Sequence, residues 1–337
     1  MKRIVAAFVF ALCISAQLSA QEADSAQTNP EKGVIALSVA YIRSAPDYES
    51  SLETQALMGC EVEILGREGY WLNVRTADPQ YEGWVTELAV APLPSSPNSS
   101  FAGSTGESVA AERSFDRLMN RYVCTALLSH AYEKPSEKSA IITEIILCDE
   151  FSKALTPGGK PIVKGNFAKI ILPDGREGWV RRTAIEDKNL WQSSLTSSGE
   201  AVASAAQRLL GIPYLWGGNC VKGMDCSGLT WLCFRLAGVS LPRNASAQAR
   251  LGTDVPIYDT PPTAECTVFD FSALRPGDLI FFGKAADGDQ PARVTHVAIS
   301  LGGTEFIHSS QVVRRGSLDP LSPIFYEREP LFARRLL

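Results

Sequence analysis

The sequence predicts an α+β protein in which two small all-β units precede a mixed domain of helices and strands. Short strand-like runs separated by turn residues occur twice before residue 190, whereas helical spacing of apolar residues begins only after residue 197. The chain has 337 residues, 45% of them hydrophobic and 20% charged, which is a globular composition. Disorder of the whole chain, collagen and coiled coil are therefore excluded, and two or three domains are expected.

The first β unit is predicted over residues 33–92 and the second over residues 121–190. The sequence Trp-Leu-Asn-Val at 71–74 matches Phe-Ala-Lys-Ile at 167–170, and Gly-Trp-Val follows each of them at a similar distance. We interpret this as an internal repeat of a small barrel. Residues 93–120 between the units are rich in Pro, Ser and Gly, which predicts a linker with room for a short helix.

The third domain is predicted over residues 197–337. Ser198 is expected to cap a helix, and a second helix is expected to start at Cys226 and to stop before Gly238. The predicted helices cover residues 200–210 and 226–237, and the predicted strands cover residues 279–282, 294–300 and 304–310. The candidate nucleophile and base described below lie in these elements.

Charge and hydropathy exclude two classes of function. The net charge is −5, from 37 acidic and 32 basic residues, whereas binding to nucleic-acid phosphates requires an excess of bases. The long apolar run of the sequence lies at its very start, which argues against a membrane-spanning enzyme. We therefore expect neither a nucleic-acid partner nor a membrane span.

Residues 1–20 are predicted to be a secretory signal peptide. Lys2 and Arg3 form a basic start, an apolar stretch too short to cross a bilayer follows, and small residues lead to an expected cleavage after Ala20. Lipidation at Cys13 is the alternative, although Leu12 stands where a small residue would be expected. The sequence therefore predicts an exported protein, periplasmic or extracellular.

Export leaves an odd number of cysteines in an oxidising compartment. Without Cys13, the eight cysteines become seven, so at least one thiol stays unpaired and needs an explanation. Cys124 and Cys148, in candidate strands of the second unit, are the pair that we first expect to form a disulfide. No Cys-x-x-Cys motif occurs and the chain has only three histidines, so neither a zinc site nor any other cofactor is expected.

Cys226 is the thiol that most needs an explanation. It is expected at a helix N-terminus, where partial positive charge favours the thiolate and free N–H groups can stabilise an oxyanion. The alternative is a small buried residue that only packs. Cys233, further along the same helix, lacks this setting and is expected in the core.

Two histidines can supply the base that such a thiolate needs. If residues 301–303 form a three-residue hairpin loop, Ser300 faces Thr304 across the ladder. Counting back along both strands then places His296 opposite His308, so that one imidazole can orient the other. A two-residue loop would break this geometry, and the alternative is two unrelated histidines in neighbouring strands.

Five short motifs follow one another in the last part of the sequence. They are Tyr-Leu-Trp-Gly-Gly at 214–218, Asp-Cys-Ser-Gly at 225–228, Arg-Pro-Gly-Asp-Leu at 275–279, Thr-His-Val-Ala at 295–298 and Ile-His-Ser at 307–309. As an ordered set they resemble the motifs of the NlpC/p60 superfamily of papain-like cell-wall cysteine peptidases. The resemblance implies a papain-like fold for residues 197–337. It also implies Cys226 as the nucleophile, His296 as the general base and His308 as the polar third member.

The same resemblance implies a substrate cleft around these residues. Tyr214 matches a tyrosine that helps to form the oxyanion site, and Trp216, Asp225 and Ser227 match positions that line the cleft. Ordinary packing is the alternative for Tyr214. A simple helix N-cap is the alternative for Asp225.

The two β units resemble bacterial SH3-like domains, and their place before such a domain resembles the γ-D-glutamyl–L-diamino-acid endopeptidases of the dipeptidyl-peptidase VI type. There the first unit closes one end of the cleft, so the substrate needs a free N-terminal L-Ala. Some members carry an acid that holds this ammonium where this chain has Asn244. We expect Glu53 or Asp225 to bind the substrate ammonium in place of that acid. The alternative for Glu53 is a solvated surface residue without this role. The segment 252–272 is also longer than the resemblance predicts.

The leading hypothesis is a cysteine peptidase that cleaves the bond between γ-D-Glu and lysine or diaminopimelate in murein peptides or peptidoglycan, through a thioester. An amidase or acyltransferase using the same chemistry on another acyl group is one alternative. A non-catalytic wall-binding protein is another, but the presence of Cys226, His296 and His308 together argues against it. We expect a monomer.

Overall fold

The computed structural model describes residues 31–93, 120–259, 268–285 and 292–337. The predicted signal peptide lies outside the described residues, as does nearly all of the predicted linker, including the part in which a short helix was expected. The described chain is mostly β with a few helices, and the predicted α+β class is confirmed. Within the described residues, no helix is both long and apolar enough to cross a membrane.

The first β unit is a seven-stranded antiparallel sheet. Its strands are β1 Glu31–Ile35, β2 Val39–Arg43, β3 Leu52–Leu57, β4 Glu61–Glu68, β5 Trp71–Ala77, β6 Gln80–Thr86 and β7 Val90–Pro92. Their order is β3-β2-β6-β5-β4-β1-β7, and aliphatic residues such as Ile42, Val74 and Val85 fill the interior. Gly83 is required by close packing, since a Cβ there would lie 2.7 Å from the carbonyl oxygen of Arg43.

The second β unit repeats this topology. Its strands are β8 Arg121–Cys124, β9 Leu128–Tyr132, β10 Ile141–Ile146, β11 Glu150–Lys153, β12 Val163–Lys164, β13 Phe167–Ile171, β14 Glu177–Arg181 and β15 Ile185–Asp187. The order β10-β9-β14-β13-β11-β8-β15 equals that of the first sheet position by position, with β12 added beside β13. Gly178, in β14, packs against β9 as Gly83 packs against β2. This close packing explains why the glycine of Gly-Trp-Val occurs in both units.

The last part of the chain combines helices with a curved sheet. The helices are α1 Lys188–Ser194, α2 Gly199–Arg208, α3 Cys226–Leu236 and α4 Ala245–Gln248. The strands are β16 Asn219–Cys220, β17 Gly223–Met224, β18 Thr253–Val255, β19 Pro276–Lys284, β20 Arg293–Gly302, β21 Glu305–Ser310, β22 Val312–Ser317 and β23 Pro330–Arg335. Strands β16 and β17 pair with each other, and the other six form a sheet in the order β18-β23-β19-β20-β21-β22.

Local sequence signals fix the helix starts. The Ser198 hydroxyl accepts the Ala201 N–H at 3.2 Å, as predicted, and caps α2. Asp225 Oδ1 accepts the Gly228 N–H at 2.7 Å and caps α3. The core of this domain lies between α2, α3 and the sheet, and it also takes in Leu57 of the first unit and Ile146 of the second. The helices therefore pack against both β units.

The expected disulfide between Cys124 and Cys148 is not formed. Both are free thiols, as are the other cysteines that the structure describes, and the two residues are joined only by the Cys148 N–H donated to the Cys124 carbonyl at 2.9 Å. Burial raises the pKa of Cys124 to about 12 and that of Cys148 to about 11. Disulfide exchange needs a thiolate, so burial disfavours the reaction at both positions.

Candidate active site

The nucleophile candidate lies at the first position of α3. Cys226 is 9% exposed, and its sulfur faces the backbone N–H groups of Ser227 and Val297. Burial, followed by the negative charge of Asp225, raises the pKa of Cys226 to about 11. The expectation that the helix N-terminus favours a thiolate is therefore wrong for the free protein, because loss of hydration outweighs the N–H groups.

The two candidate histidines form a hydrogen-bonded pair. His296 Nε2 lies 2.8 Å from His308 Nδ1, and both side chains are buried. Only one of these two nitrogens carries the shared proton. If Nε2 of His296 holds it, Nδ1 of His296 is free to accept another proton, and His308 fixes the orientation of the ring. This is the base-and-orienter arrangement predicted from the sequence.

The predicted register of the histidine hairpin is nevertheless wrong. Ile299 pairs with Ile307, and Gly302 pairs with Glu305 after a bulge, so the loop is the two-residue turn Gly303-Thr304. Continuing this register places His308 opposite Ala298 and not opposite His296. Side chains alternate between faces with period two, and the register differs by two residues, so both histidines still share one face. They meet as diagonal neighbours.

Burial keeps both histidines neutral. It is the largest cause that lowers the pKa of His296 to about 4, followed by the positive charge of Arg328. It also lowers the pKa of His308 to about 3, with further contributions from His296, Arg314 and Arg328. At neutral pH the site therefore holds an uncharged thiol and an uncharged imidazole, and a proton has to move before the sulfur can attack.

These buried histidines predict a pH-dependent stability. In the unfolded chain both histidines titrate near pH 6.5, whereas in the folded protein they titrate at about 4 and about 3. The unfolded chain binds more protons in this window, so the free energy of unfolding should fall as the pH falls from 6.5 towards 3. Urea unfolding at pH 7.5 and pH 5.0 measures the loss. His308→Asn should show a smaller loss than the wild type, and equal losses would contradict this origin.

Tyr326 was not predicted from the sequence, although it packs directly on the histidine pair. Its ring centroid lies 4.7 Å from that of His308 in an edge-on contact and 5.8 Å from that of His296. Phe282 and Phe306 complete this aromatic wall. Tyr326 precedes β23 in the chain, and no spacing or motif connects it with either histidine.

Arg243 organises the start of α3 and was also missed. Its guanidinium contacts Asp225 Oδ2 at 2.6 Å and Ser227 Oγ at 3.0 Å, and its Nε donates to Thr54 Oγ1 of the first β unit at 3.0 Å. Asp225 also accepts the Gly217 N–H at 3.0 Å. Asp225 and Ser227, predicted to line the cleft, are therefore buried members of a hydrogen-bond network that holds the nucleophile helix.

Tyr214 and Trp216 lie on the loop that precedes β16. Tyr214 is 36% exposed, but partial loss of hydration, followed by the charge of Cys226, raises the pKa of its phenol to about 12, so the hydroxyl remains protonated and can donate a hydrogen bond. Trp216 is 67% exposed. Gly217 has a φ of +75°, and a Cβ there would lie 2.3 Å from the Leu52 carbonyl oxygen. The motif glycine thus lets the first β unit approach this loop.

Glu53 and Asn244 meet through a third residue, Tyr81. The Tyr81 hydroxyl donates to Glu53 Oε2 at 2.9 Å, and the Asn244 side chain hydrogen-bonds to the same hydroxyl. Glu53 is half-buried and Asn244 is exposed at the start of α4. This polar cluster joins the first β unit to the segment after Arg243. The sequence pointed to Glu53 and Asn244 but not to Tyr81.

Metal ligation has little support in the part of the chain that the structure describes. There, no group of three or more His, Cys, Asp or Glu side chains is arranged to hold an ion. The acidic groups near the nucleophile already have partners, since Asp225 is paired with Arg243.

The sequence of this chain is similar to those of known proteins. A profile of the NlpC/P60 family matches residues 211–329, and a profile of the bacterial dipeptidyl-peptidase SH3 domain matches residues 42–90. A gamma-D-glutamyl-L-lysine dipeptidyl-peptidase of Bacillus cereus is 28% identical over 303 residues, which cover 86% of this chain and 76% of the relative. A Bacillus subtilis protein of the same name is 32% identical over 147 residues, or 42% of this chain and 43% of that protein.

Structural comparison agrees with these matches. The crystal structure of an NlpC/P60 family protein from Bacillus cereus superposes with a TM-score of 0.65 and 23% identity, and the match covers 91% of this chain and 99% of that one. It shows the same overall fold. The resemblance inferred from the five motifs is confirmed: the chain carries an NlpC/P60 domain, preceded by a bacterial dipeptidyl-peptidase SH3 domain.

Proposed function

We propose that the protein is a cysteine peptidase that hydrolyses the γ-D-glutamyl–diamino acid bond of murein peptides and releases L-Ala-γ-D-Glu. The observation that carries the proposal is the hydrogen bond between His296 and His308, together with Cys226 at a helix N-terminus, whose sulfur faces the backbone N–H of Val297, the residue after His296. The similarity to two gamma-D-glutamyl-L-lysine dipeptidyl-peptidases supports a peptidase and suggests the bond. The predicted export of the chain would bring it to such substrates.

The first half of the reaction forms a thioester. His296 Nδ1 takes the Cys226 thiol proton, and the sulfur attacks the γ-carbonyl carbon of D-Glu. In this proposal, the N–H groups at the start of α3 and the Tyr214 hydroxyl stabilise the oxyanion. The intermediate then breaks its C–N bond, and His296 returns the proton to the leaving amine of the diamino acid.

The second half of the reaction regenerates the thiol. His296 Nδ1 removes a proton from water, the resulting hydroxide attacks the thioester, and the C–S bond breaks. The leaving thiolate takes the proton back from His296, and the γ-carboxylic acid releases its own proton to water. His308 holds the His296 ring throughout and stabilises its protonated form. Each step uses only groups of this chain, the substrate and water.

Selection of a free N-terminus follows from the cluster of Glu53, Tyr81 and Asn244. A substrate ammonium needs a carboxylate or several oxygen acceptors when it leaves water. The Glu53 carboxylate, supported by the Tyr81 hydroxyl and the Asn244 amide oxygen, offers such acceptors on the first β unit and at the start of α4. Asp225, the other candidate, is already paired with Arg243 and is less suited to this role.

Digestion of defined muropeptides tests the proposed bond. Mass spectrometry of the products from L-Ala-γ-D-Glu-L-Lys should show L-Ala-γ-D-Glu and free lysine in equal amounts. Release of ammonia alone would instead identify an amidase. An unchanged peptide that still binds the protein would identify a wall-binding function.

The two histidines should differ in their effects. His296→Ala removes the base and should lower kcat by about 10³-fold or more, whereas His308→Ala removes only the orienting group and should be milder, by about 10–100-fold. His308→Asn keeps a hydrogen-bond acceptor and should recover part of the loss. Steady-state kinetics on one tripeptide measures all three variants. A His308→Ala variant as inactive as His296→Ala would contradict the assignment of roles.

A further inference from the structure

Arg314 lies directly beside the histidine pair. In the ladder between β21 and β22, His308 pairs with Arg314, so the two side chains project from the same face of the sheet. His308 is buried, but Arg314 is exposed. The guanidinium therefore stands at the rim of the site, one side chain away from the orienting histidine.

Arg328 approaches the same histidines from a different segment. Its guanidinium carbon lies 6.0 Å from the centre of the Tyr326 ring, and that ring contacts His308 at 4.7 Å between centroids. Arg328 is also exposed. The positive charges of Arg314 and Arg328 both lower the pKa of His308. Two separate elements thus direct cationic side chains towards one histidine.

Neither arginine forms an ion pair within the described part of the chain. Arg334 pairs with Asp254 at 2.9 Å and Arg335 pairs with Asp278 at 2.7 Å, but Arg314 and Arg328 have no described carboxylate within 4.0 Å. Such an arrangement is suited to an anionic ligand, because guanidinium groups bind carboxylates with charge-assisted hydrogen bonds.

We propose that Arg314 and Arg328 bind the carboxylate at the end of the diaminopimelate side chain, a group that lysine lacks, and that the enzyme therefore prefers diaminopimelate to lysine. The inference rests on the proposed function: because His296 protonates the leaving amine, the diamino acid lies next to the histidine pair. The lysine side chain ends in an ammonium group, which the arginines repel. The side chain of diaminopimelate ends in a carbon that carries a carboxylate as well, and this carboxylate is the group that the arginines bind.

The test compares three substrates that differ only in the diamino acid. They are L-Ala-γ-D-Glu joined to lysine, to diaminopimelate, and to diaminopimelate with its distal carboxylate amidated. For the wild type we expect kcat/KM to be about tenfold or more higher for diaminopimelate than for lysine, the usual effect of one charge-assisted hydrogen bond. Amidation should remove this advantage.

Arginine variants connect the preference to the proposed subsite. Arg314→Gln and Arg328→Gln should each lower the diaminopimelate-to-lysine ratio of kcat/KM about tenfold, mainly through KM. Arg315→Gln is the matched control, since Arg315 is an exposed neighbour on the opposite face of β22 and should leave the ratio unchanged. Thermal melts of the variants establish that each is folded.

The outcomes separate this inference from the proposed function. Equal wild-type rates on the lysine and diaminopimelate substrates would overturn the carboxylate subsite but leave the peptidase intact. A diaminopimelate-to-lysine ratio of kcat/KM that stays unchanged in both arginine variants would overturn the carboxylate subsite as well. If the wild type cleaves none of the three peptides, it is the proposed function that fails.

Discussion

Replacing Cys226 by alanine is expected to abolish hydrolysis, with kcat reduced to the background rate, while the protein stays folded and still binds its substrate. The sulfur forms the thioester, so no other described group can replace it in the proposed reaction. Residual catalysis from oxyanion donors and binding alone is far below that of the complete set of groups. Discontinuous assays of product release from a defined tripeptide measure turnover, and isothermal titration calorimetry measures binding.

Cys233→Ala is the matched control for this prediction. Cys233 lies in the same helix, is completely buried and has no part in the proposed reaction. Its loss should cost some stability but leave kcat close to that of the wild type. A Cys226→Ala variant with near-wild-type turnover would refute the mechanism. So would a loss of activity in Cys233→Ala equal to that in Cys226→Ala, provided that both proteins are folded.

Blocking the substrate amine is expected to have the second largest effect. N-acetylation of L-Ala-γ-D-Glu-L-Lys should lower kcat/KM by about 10²-fold or more, because the acceptors around Glu53 then lose their charged partner and remain desolvated. Murein in which the alanine is amide-linked to muramic acid should be rejected in the same way. Kinetics on the free and acetylated tripeptides provide the measurement.

Glu53→Gln assigns this effect to the first β unit. The variant keeps the size of the side chain and removes its charge, so it should lower kcat/KM for the free peptide. The ratio of kcat/KM between the free and the acetylated peptide should therefore become smaller. Glu82→Gln is the control, because Glu82 follows Tyr81 in β6 but pairs with Arg75 at 2.6 Å on the other face. Equal wild-type rates on free and acetylated peptides would show that this end of the cleft is open.

The parts of the site that follow local rules could be predicted from the sequence. Cys226 follows an N-capping Asp225 at the start of a helix, and these neighbours fix each other's position. The sequence also predicted correctly that His296 and His308 share a face, although this depends on the register as well as on the period of a strand. The two-residue turn alone would place them on opposite faces, and the bulge at Leu301 restores the shared face. Their register could not be predicted, since the bulge at Leu301 depends on how β20 and β21 pack.

Contacts between distant segments could not be predicted. Arg243 reaches Thr54 across 189 positions of sequence, and Tyr326 packs on histidines from a segment without a motif. The contact of Tyr81 with Glu53 and Asn244 could not be predicted either, because it forms only when the first β unit packs against the segment that contains Asn244. Burial is equally non-local. It reversed the expectation for the pKa of Cys226, although the local setting of the helix N-terminus was predicted correctly.

Strand β3 ends the first sheet, and the NlpC/P60 domain lies along it. The Leu52 carbonyl faces Gly217, Gln55 Oε1 accepts the Asn219 N–H at 2.9 Å, and Leu57 enters the core around α3. An uncovered edge strand is a template for aggregation. Proteolytic removal of the first unit would also expose the apolar surface of the NlpC/P60 domain that Leu57 covers. Each of the two domains therefore covers a surface that the other would expose to solvent if it stood alone.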